Sequence, residues 1–153
     1  MAVLREPELP PQVDVRGQAP PGFPVEPNTT ADVDARLVLW LGPDEWLVVG
    51  GTDADYADAA AAVDVSANRV AFELTGGDAH EVLAMGCSLD LDRTVFTPGR
   101  CAQTLLARVP VILLRRDEET WLVLPRPSFA GYLRAWLGDA GAGCERADPS
   151  ARS

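Results

Sequence analysis

One internal echo constrains this chain more than any other feature. Residues 37–49 lie on residues 112–124 without a gap at a shift of 75 positions, and four of the 13 pairs are identical. These pairs are Leu39 with Leu114 and Trp46-Leu47-Val48 with Trp121-Leu122-Val123. Each copy reads as apolar strand, acidic turn, apolar strand. In the first, Leu37–Leu41 and Trp46–Val49 flank Gly42-Pro43-Asp44-Glu45, a connection whose Gly, Pro and Asp suit a hairpin. In the second, Val109–Leu114 and Trp121–Leu124 flank the polar stretch Arg115–Thr120. A helix is expected after each hairpin, with a tyrosine near the same place (Tyr56, Tyr132). Two strand–turn–strand–helix units imply a duplicated α+β architecture with two similar β-hairpin/helix halves. Two unrelated apolar hairpins of this length would also look alike.

The remaining elements follow from period and punctuation. Asp53 is expected to cap an Ala-rich helix around 54–63. Residues 68–75 alternate, with Val70, Phe72 and Leu74 on one face, as a half-buried strand does. After Gly76-Gly77, Asp78 and Glu81 stand three apart like a capping box. Ala79, Val82 and Leu83 then form a helical stripe that Gly86 ends. Cys101–Ala107 reads as a strand. Pro127-Ser128 opens a last helix, with Phe129, Leu133, Trp136 and Leu137 at helical spacing and Tyr132 beside them. More than half of the 13 prolines fall in residues 1–31. That segment is expected to be a mostly irregular arm with one short strand at Gln12–Arg16. Residues 32–138 form the single domain, and 139–153 a polar tail.

Composition removes whole classes of chemistry. There are 13 basic and 23 acidic residues, for a net charge of −10, and every basic residue is Arg. A phosphate backbone requires a basic face, so nucleic acid is a poor partner. Without Lys there is no Schiff-base catalysis. Three cysteines without a CxxC pair point away from a disulfide framework or zinc site and towards a reducing, cytoplasmic setting. No apolar run reaches the ~18 residues of a membrane span. The first residues lack the apolar core of a secretory signal.

The candidate sites read mostly as structure. His80, the only histidine, sits in a helical first turn and suits an exposed helix residue better than a general base or covalent flavin link. Cys87 and Cys101 lack the cationic neighbour that a reactive thiolate needs. Asp90 and Asp92 are too sparse for a calcium loop. Asp53 and Asp55 would repel an anion at Gly50-Gly51. Arg115-Arg116 before Asp117-Glu118-Glu119 reads as a zwitterionic surface turn. The catalytic, cofactor and metal sets are therefore expected to be empty. Four residues suit contact with a partner. Arg100 follows Pro98-Gly99 and Arg126 sits between Pro125 and Pro127, so both stand on stiff backbone, and Arg favours bidentate carboxylate contacts. Trp40 and Trp136 belong to the residue type most enriched at interface hot spots.

Six segments carry a family resemblance: EPNTTA (26–31), WLGPDEWLVV (40–49), VDVSANRVAFELTG (63–76), VLAMGCSLDL (82–91), FTPGRCAQTLLARVPVILLR (96–115) and WLVLPRPSFAGYLRAWLGDA (121–140). In order and spacing they resemble the gamma subunit of heterotetrameric sarcosine oxidase. More distantly, Asp64-Val65-Ser66, residues 76–79 and Pro98-Gly99-Arg100 resemble the aminomethyltransferase (glycine-cleavage T-protein) folate-binding family. That family has a Gly-rich turn and an acidic pair carrying its catalytic Asp. Here residues 105–112 run on with neither, and Asp117 comes later, in a hairpin turn.

The resemblance implies a fold like the aminomethyltransferase folate-binding domain. It also implies a complex that oxidatively demethylates sarcosine to glycine, releases hydrogen peroxide and passes the one-carbon unit to tetrahydrofolate. The partners implied are alpha, beta and delta subunits, which would hold FAD, FMN and NAD, while the gamma chain holds no cofactor. The leading expectation is thus a non-catalytic subunit that supports assembly and the enclosed site. The proline-rich arm is expected to wrap a neighbour. The alternative is a stand-alone folate-binding aminomethyltransferase-like protein. A helper in RNA modification or repair is disfavoured by the charge.

Overall fold

The computed structural model describes residues 2–147, with side chains described through residue 141. Ten strands form two antiparallel five-stranded sheets. The strands are β1 (Val3–Arg5), β2 (Gln12–Arg16), β3 (Thr30–Val33), β4 (Arg36–Gly42), β5 (Glu45–Val49), β6 (Ala61–Asp64), β7 (Phe72–Thr75), β8 (Cys101–Leu106), β9 (Val109–Arg115) and β10 (Thr120–Pro125). Two helices accompany them, α1 (Ala79–Ala84) and α2 (Ala130–Ala147). One sheet has the order β3-β4-β5-β2-β6 and the other β8-β9-β10-β7-β1.

Written this way the two orders superpose, and the duplication is visible in the hydrogen bonding. The echoed hairpins are β4–β5 and β9–β10. Trp46 pairs with Val15 and Trp121 with Leu74, each on the strand that closes its meander. The turns β3–β4 and β8–β9 each have two residues, and all four (Asp34, Ala35, Ala107, Arg108) have positive φ. That is the signature of hairpin turns whose twist matches the strands. The outermost strands are exchanged. β1 precedes the first half but pairs with β7 of the second. β6 precedes the second half but pairs with β2 of the first.

Three apolar layers result. Leu39, Leu47 and Val49 of one sheet meet Cys101, Ile112, Leu114 and Leu124 of the other in the space between them. On the outer face of the second sheet, α1 and α2 bury Val82, Leu83, Leu133 and Leu137 against Trp121 and Phe72. On the outer face of the first sheet, Val13, Val15, Val38 and Val48 pack with Trp46 under Phe23. The sheets also join at one corner. Thr30 donates its N–H to the Gly99 carbonyl at 2.8 Å, and Cys101 donates to that of Asn28 at 2.9 Å.

Several expectations are corrected here. The strand expected at Gln12–Arg16 is present as β2, but the proline-rich arm around it is woven into the fold, because β1 is a further paired strand and Val13 and Val15 are fully buried. Its proline run lids the first sheet. The buried Trp46 indole needs an acceptor and donates to the Pro24 carbonyl at 2.7 Å, and Phe23 meets the same ring edge-on. The Ala-rich helix at 54–63 is instead a 3-10 turn, Asp53–Tyr56, followed by β6. Its cap is Thr52 rather than Asp53, with the Asp55 carboxylate accepting the Thr52 N–H at 2.8 Å. The strand expected from residue 68 begins at Phe72. The last helix does not fray at Gly138 but runs to Ala147, since Leu137 and Ala140 are buried under it. Of the expected tail, residues 148–153 lie outside the described residues. Pro127–Phe129 forms a 3-10 turn leading into α2.

Candidate functional site

The four residues expected to meet a partner do not gather at one point. Trp40 lies opposite Trp46 and so faces away from the space between the sheets, as its alternation with Leu39 and Leu41 predicts. It does not face open solvent: it is half-buried on the Val38–Trp46 layer. Arg100 meets the same corner through Thr29, which bridges to Arg100 and accepts the Trp40 N–H at 3.0 Å. Trp136 lies on the other side of the molecule. It packs so tightly over Gly86 that a Cβ there would stand 2.6 Å from its ring. The carbonyl of Gly86 in turn accepts the Ala107 N–H at 2.9 Å, which ties α1 to the β8–β9 turn. Around them Met85 and Tyr132 are more than half exposed, and Arg108 rims the same shallow hollow.

Arg126 is exposed at the end of β10, where it precedes the 3-10 turn. It shares a cleft at the open side of the sheet pair with Arg69, Gln103 and Ile112. Arg69 is half-buried and donates Nη1 to the Leu124 carbonyl at 2.9 Å. Burial, and then the nearby Arg126 charge, lower its pKa. The opposite wall carries Asp14 and Glu45. Hydrogen bonding to Asp14, burial and the Asp14 charge push the Glu45 carboxyl up to about 7. Arg16 opposes that shift, lying 3.0 Å from Glu45 and 3.4 Å from Asp14.

Other positions prove structural. Gly50 and Gly51 have positive φ, and the Arg36 side chain fills the space over them. Arg36 is itself held by Asp55 at 3.2 Å and the Tyr56 hydroxyl at 3.1 Å. Asp90 and Asp92 build turns, accepting the Asp92 and Thr94 N–H groups at 3.0 and 2.9 Å. Asp117 does the same for Glu119 and Thr120 in the β9–β10 turn. Its carboxyl lies below the usual range because those N–H groups favour the charged form. Cys101 is buried between the sheets and donates to the Thr29 and Trp40 carbonyls at 3.6 and 3.7 Å. Arg100, next in sequence, is the cationic neighbour expected to be missing, but burial outweighs it and pushes the thiol up to about 11, which suits a packing residue. Cys87 is also buried rather than in an exposed loop. His80 is half-buried in α1.

Arg115 overturns the reading of a surface turn. It is 1% exposed, stacks over Trp121 at 5.4 Å and donates to the Phe96 and Glu118 carbonyls at 2.9 and 2.7 Å. Its partners come from a loop about twenty residues earlier and from the turn itself, and no local sequence pattern marks them. Arg116 stays at the surface, 3.3 Å from Asp32.

What this arrangement defines is a duplicated two-sheet scaffold whose interior layers are filled by its own side chains. Comparison with known proteins then places it. The chain matches the model of the sarcosine oxidase, gamma subunit family over residues 22–143, and it belongs to that family. It is 38% identical over 129 residues to the sarcosine oxidase subunit gamma of Corynebacterium sp. (strain P-1), covering 78% of this chain and 64% of that one. The subunit gamma of Arthrobacter sp. is 37% identical over the same length and shares. The chain therefore spans just under two thirds of the length of these curated relatives. A chain of the heterotetrameric sarcosine oxidase from Corynebacterium sp. U-96, solved with pyrrole 2-carboxylate, superposes with a TM-score of 0.80 at 32% identity. The match covers 93% of this chain and 84% of that one.

Proposed function

We propose that this chain is the gamma subunit of a heterotetrameric, flavin-dependent sarcosine oxidase. The observation that carries this is the combined match in sequence and architecture to a chain of such a complex, at 32% identity and a TM-score of 0.80. The complex is an oxidoreductase acting on the CH–NH group of its donor. It takes sarcosine to glycine, with oxygen becoming hydrogen peroxide and the one-carbon unit passing to tetrahydrofolate. FAD, FMN and NAD belong to the other subunits. Alpha, beta and delta chains are the partners, and the setting is the cytoplasm. The gamma chain contributes surface rather than chemistry: its three apolar layers are occupied by its own side chains. Trp40 with Arg100, Trp136 and Arg126 mark three separate faces for contact. The comparisons give no support to a stand-alone folate-binding protein.

The test is co-expression with the alpha, beta and delta chains, with and without this one. The expected result is that omission lowers both the recovery of flavin-bearing complex and sarcosine-dependent peroxide formation. Full recovery and full turnover without it would overturn the reading.

A further inference from the structure

The Arg69–Arg126 cleft continues into a groove that the first sheet leaves uncovered. Arg69, Gln103 and Ile112 line both stretches, and beyond them the floor is apolar, with Leu105 54% exposed and Pro110 exposed beside it. Leu105 extends from β8, an edge strand of its sheet. Exposed Leu105 and Pro110 thus share one groove with the Arg69 guanidinium, which makes its surface amphipathic.

The charges are uneven across it. At the acidic wall, Asp14 and Glu45 share the single guanidinium of Arg16, which reaches both. At the basic wall nothing compensates. Among the described residues, Arg126 makes no side-chain hydrogen bond or ion pair, and Arg69 has only the Leu124 carbonyl. Asp14 and Glu45 line the same cleft, yet neither carboxylate forms an ion pair with Arg69 or Arg126. Like charges held together in a half-buried cleft are costly unless an anion joins them. A carboxylate accepts two parallel N–H donors from Arg and suits this geometry.

We infer that this groove is the seat of an acidic segment of a partner subunit, with a carboxylate between Arg69 and Arg126 and an apolar side chain over Leu105. The inference rests on the proposed role in a multi-subunit oxidase. It selects Arg126 over the other three contact candidates, and adds Arg69 and Leu105.

The test uses the tagged full chain co-expressed with the alpha, beta and delta chains, reading co-eluted flavin per tagged chain. If the unaltered chain brings down no flavin, the subunit role fails and the groove falls with it. If it does bring down flavin, Arg126→Glu is expected to lower co-elution at least about tenfold, since an interface charge pair then becomes a repulsion. Leu105→Asp is expected to act in the same direction. Both positions are exposed, so thermal unfolding of either variant should match that of the unaltered chain. Arg116→Glu, an equal charge change on another face, is expected to leave co-elution unchanged. Raising salt from about 0.1 M to about 0.5 M should weaken the unaltered complex more than a residual Arg126→Glu complex. Unchanged co-elution in Arg126→Glu and Leu105→Asp, or equal loss in Arg116→Glu, would overturn the groove while leaving the subunit role intact.

Discussion

Replacing Arg115 by Met removes a buried cation and retains a long apolar stem over Trp121. Two opposing effects set the outcome. The guanidinium holds the Phe96 and Glu118 carbonyls at 2.9 and 2.7 Å, and its loss takes the donor from both. The Phe96 carbonyl is buried, and a buried acceptor left unsatisfied costs about 1–3 kcal/mol, whereas Glu118 is exposed and its carbonyl can turn to water. Against this, Met avoids the desolvation of a charge, including an Nε that has no hydrogen-bond partner. The ion pair with Glu118 adds little, because that carboxylate is 80% exposed. The net expectation is a loss of about 1–3 kcal/mol. For a domain near 150 residues this lowers Tm by roughly 3–12 °C. Thermal unfolding by circular dichroism, with Arg116→Gln as the surface comparison, measures it. Hydrogen exchange should also rise in residues 93–99, the loop that Arg115 anchors. An Arg115→Met Tm within about 2 °C of Arg116→Gln would refute the reasoning, because desolvation would then cancel the bonds.

Other outcomes follow from the same structure. Deleting residues 1–24 removes β1, β2 and the Pro24 acceptor of Trp46, and is expected to abolish cooperative unfolding rather than merely trim an arm. A sharp, unchanged melting transition would contradict the weave of β1 and β2 into both sheets. Cys101, with its thiol near 11, should have roughly one thiolate in a thousand at pH 8 and resist iodoacetamide in the folded chain. Rapid native labelling there, read by peptide mass, would show that the sheets open. Glu45 binds its proton more tightly folded than unfolded, with a folded pKa of about 7 against an ordinary value of 4.5. Its contribution is therefore complete below about pH 4.5 and lost as pH rises through about 7. Glu45→Gln should flatten the decline in Tm across that window, and an unaltered slope would count against the shared proton with Asp14.

Much of the fold is legible because strands advertise themselves locally. The apolar runs at Trp46 and Trp121, and the Gly-Pro-Asp connection between β4 and β5, depend on residues close in sequence. The stripe of Leu133 and Leu137 marks α2 for the same reason. What escapes is decided at a distance. Residues 61–64 have the composition of a helix, yet β2 offers them a free edge, and pairing with Val13–Arg16 outweighs propensity. The exchange of β1 and β6 between halves has no local signature at all. Trp40 and Arg126 were visible as candidates from their residue type and setting. Arg69 was not, because only the folded chain places it beside Arg126.

The central claim is that this chain works as one subunit of a flavin-dependent sarcosine oxidase. Tagging it in its native host, purifying gently and recording flavin absorbance with subunit masses tests that most directly. The account predicts a yellow assembly with three further chains that turns over sarcosine. A colourless, monodisperse single chain would contradict it.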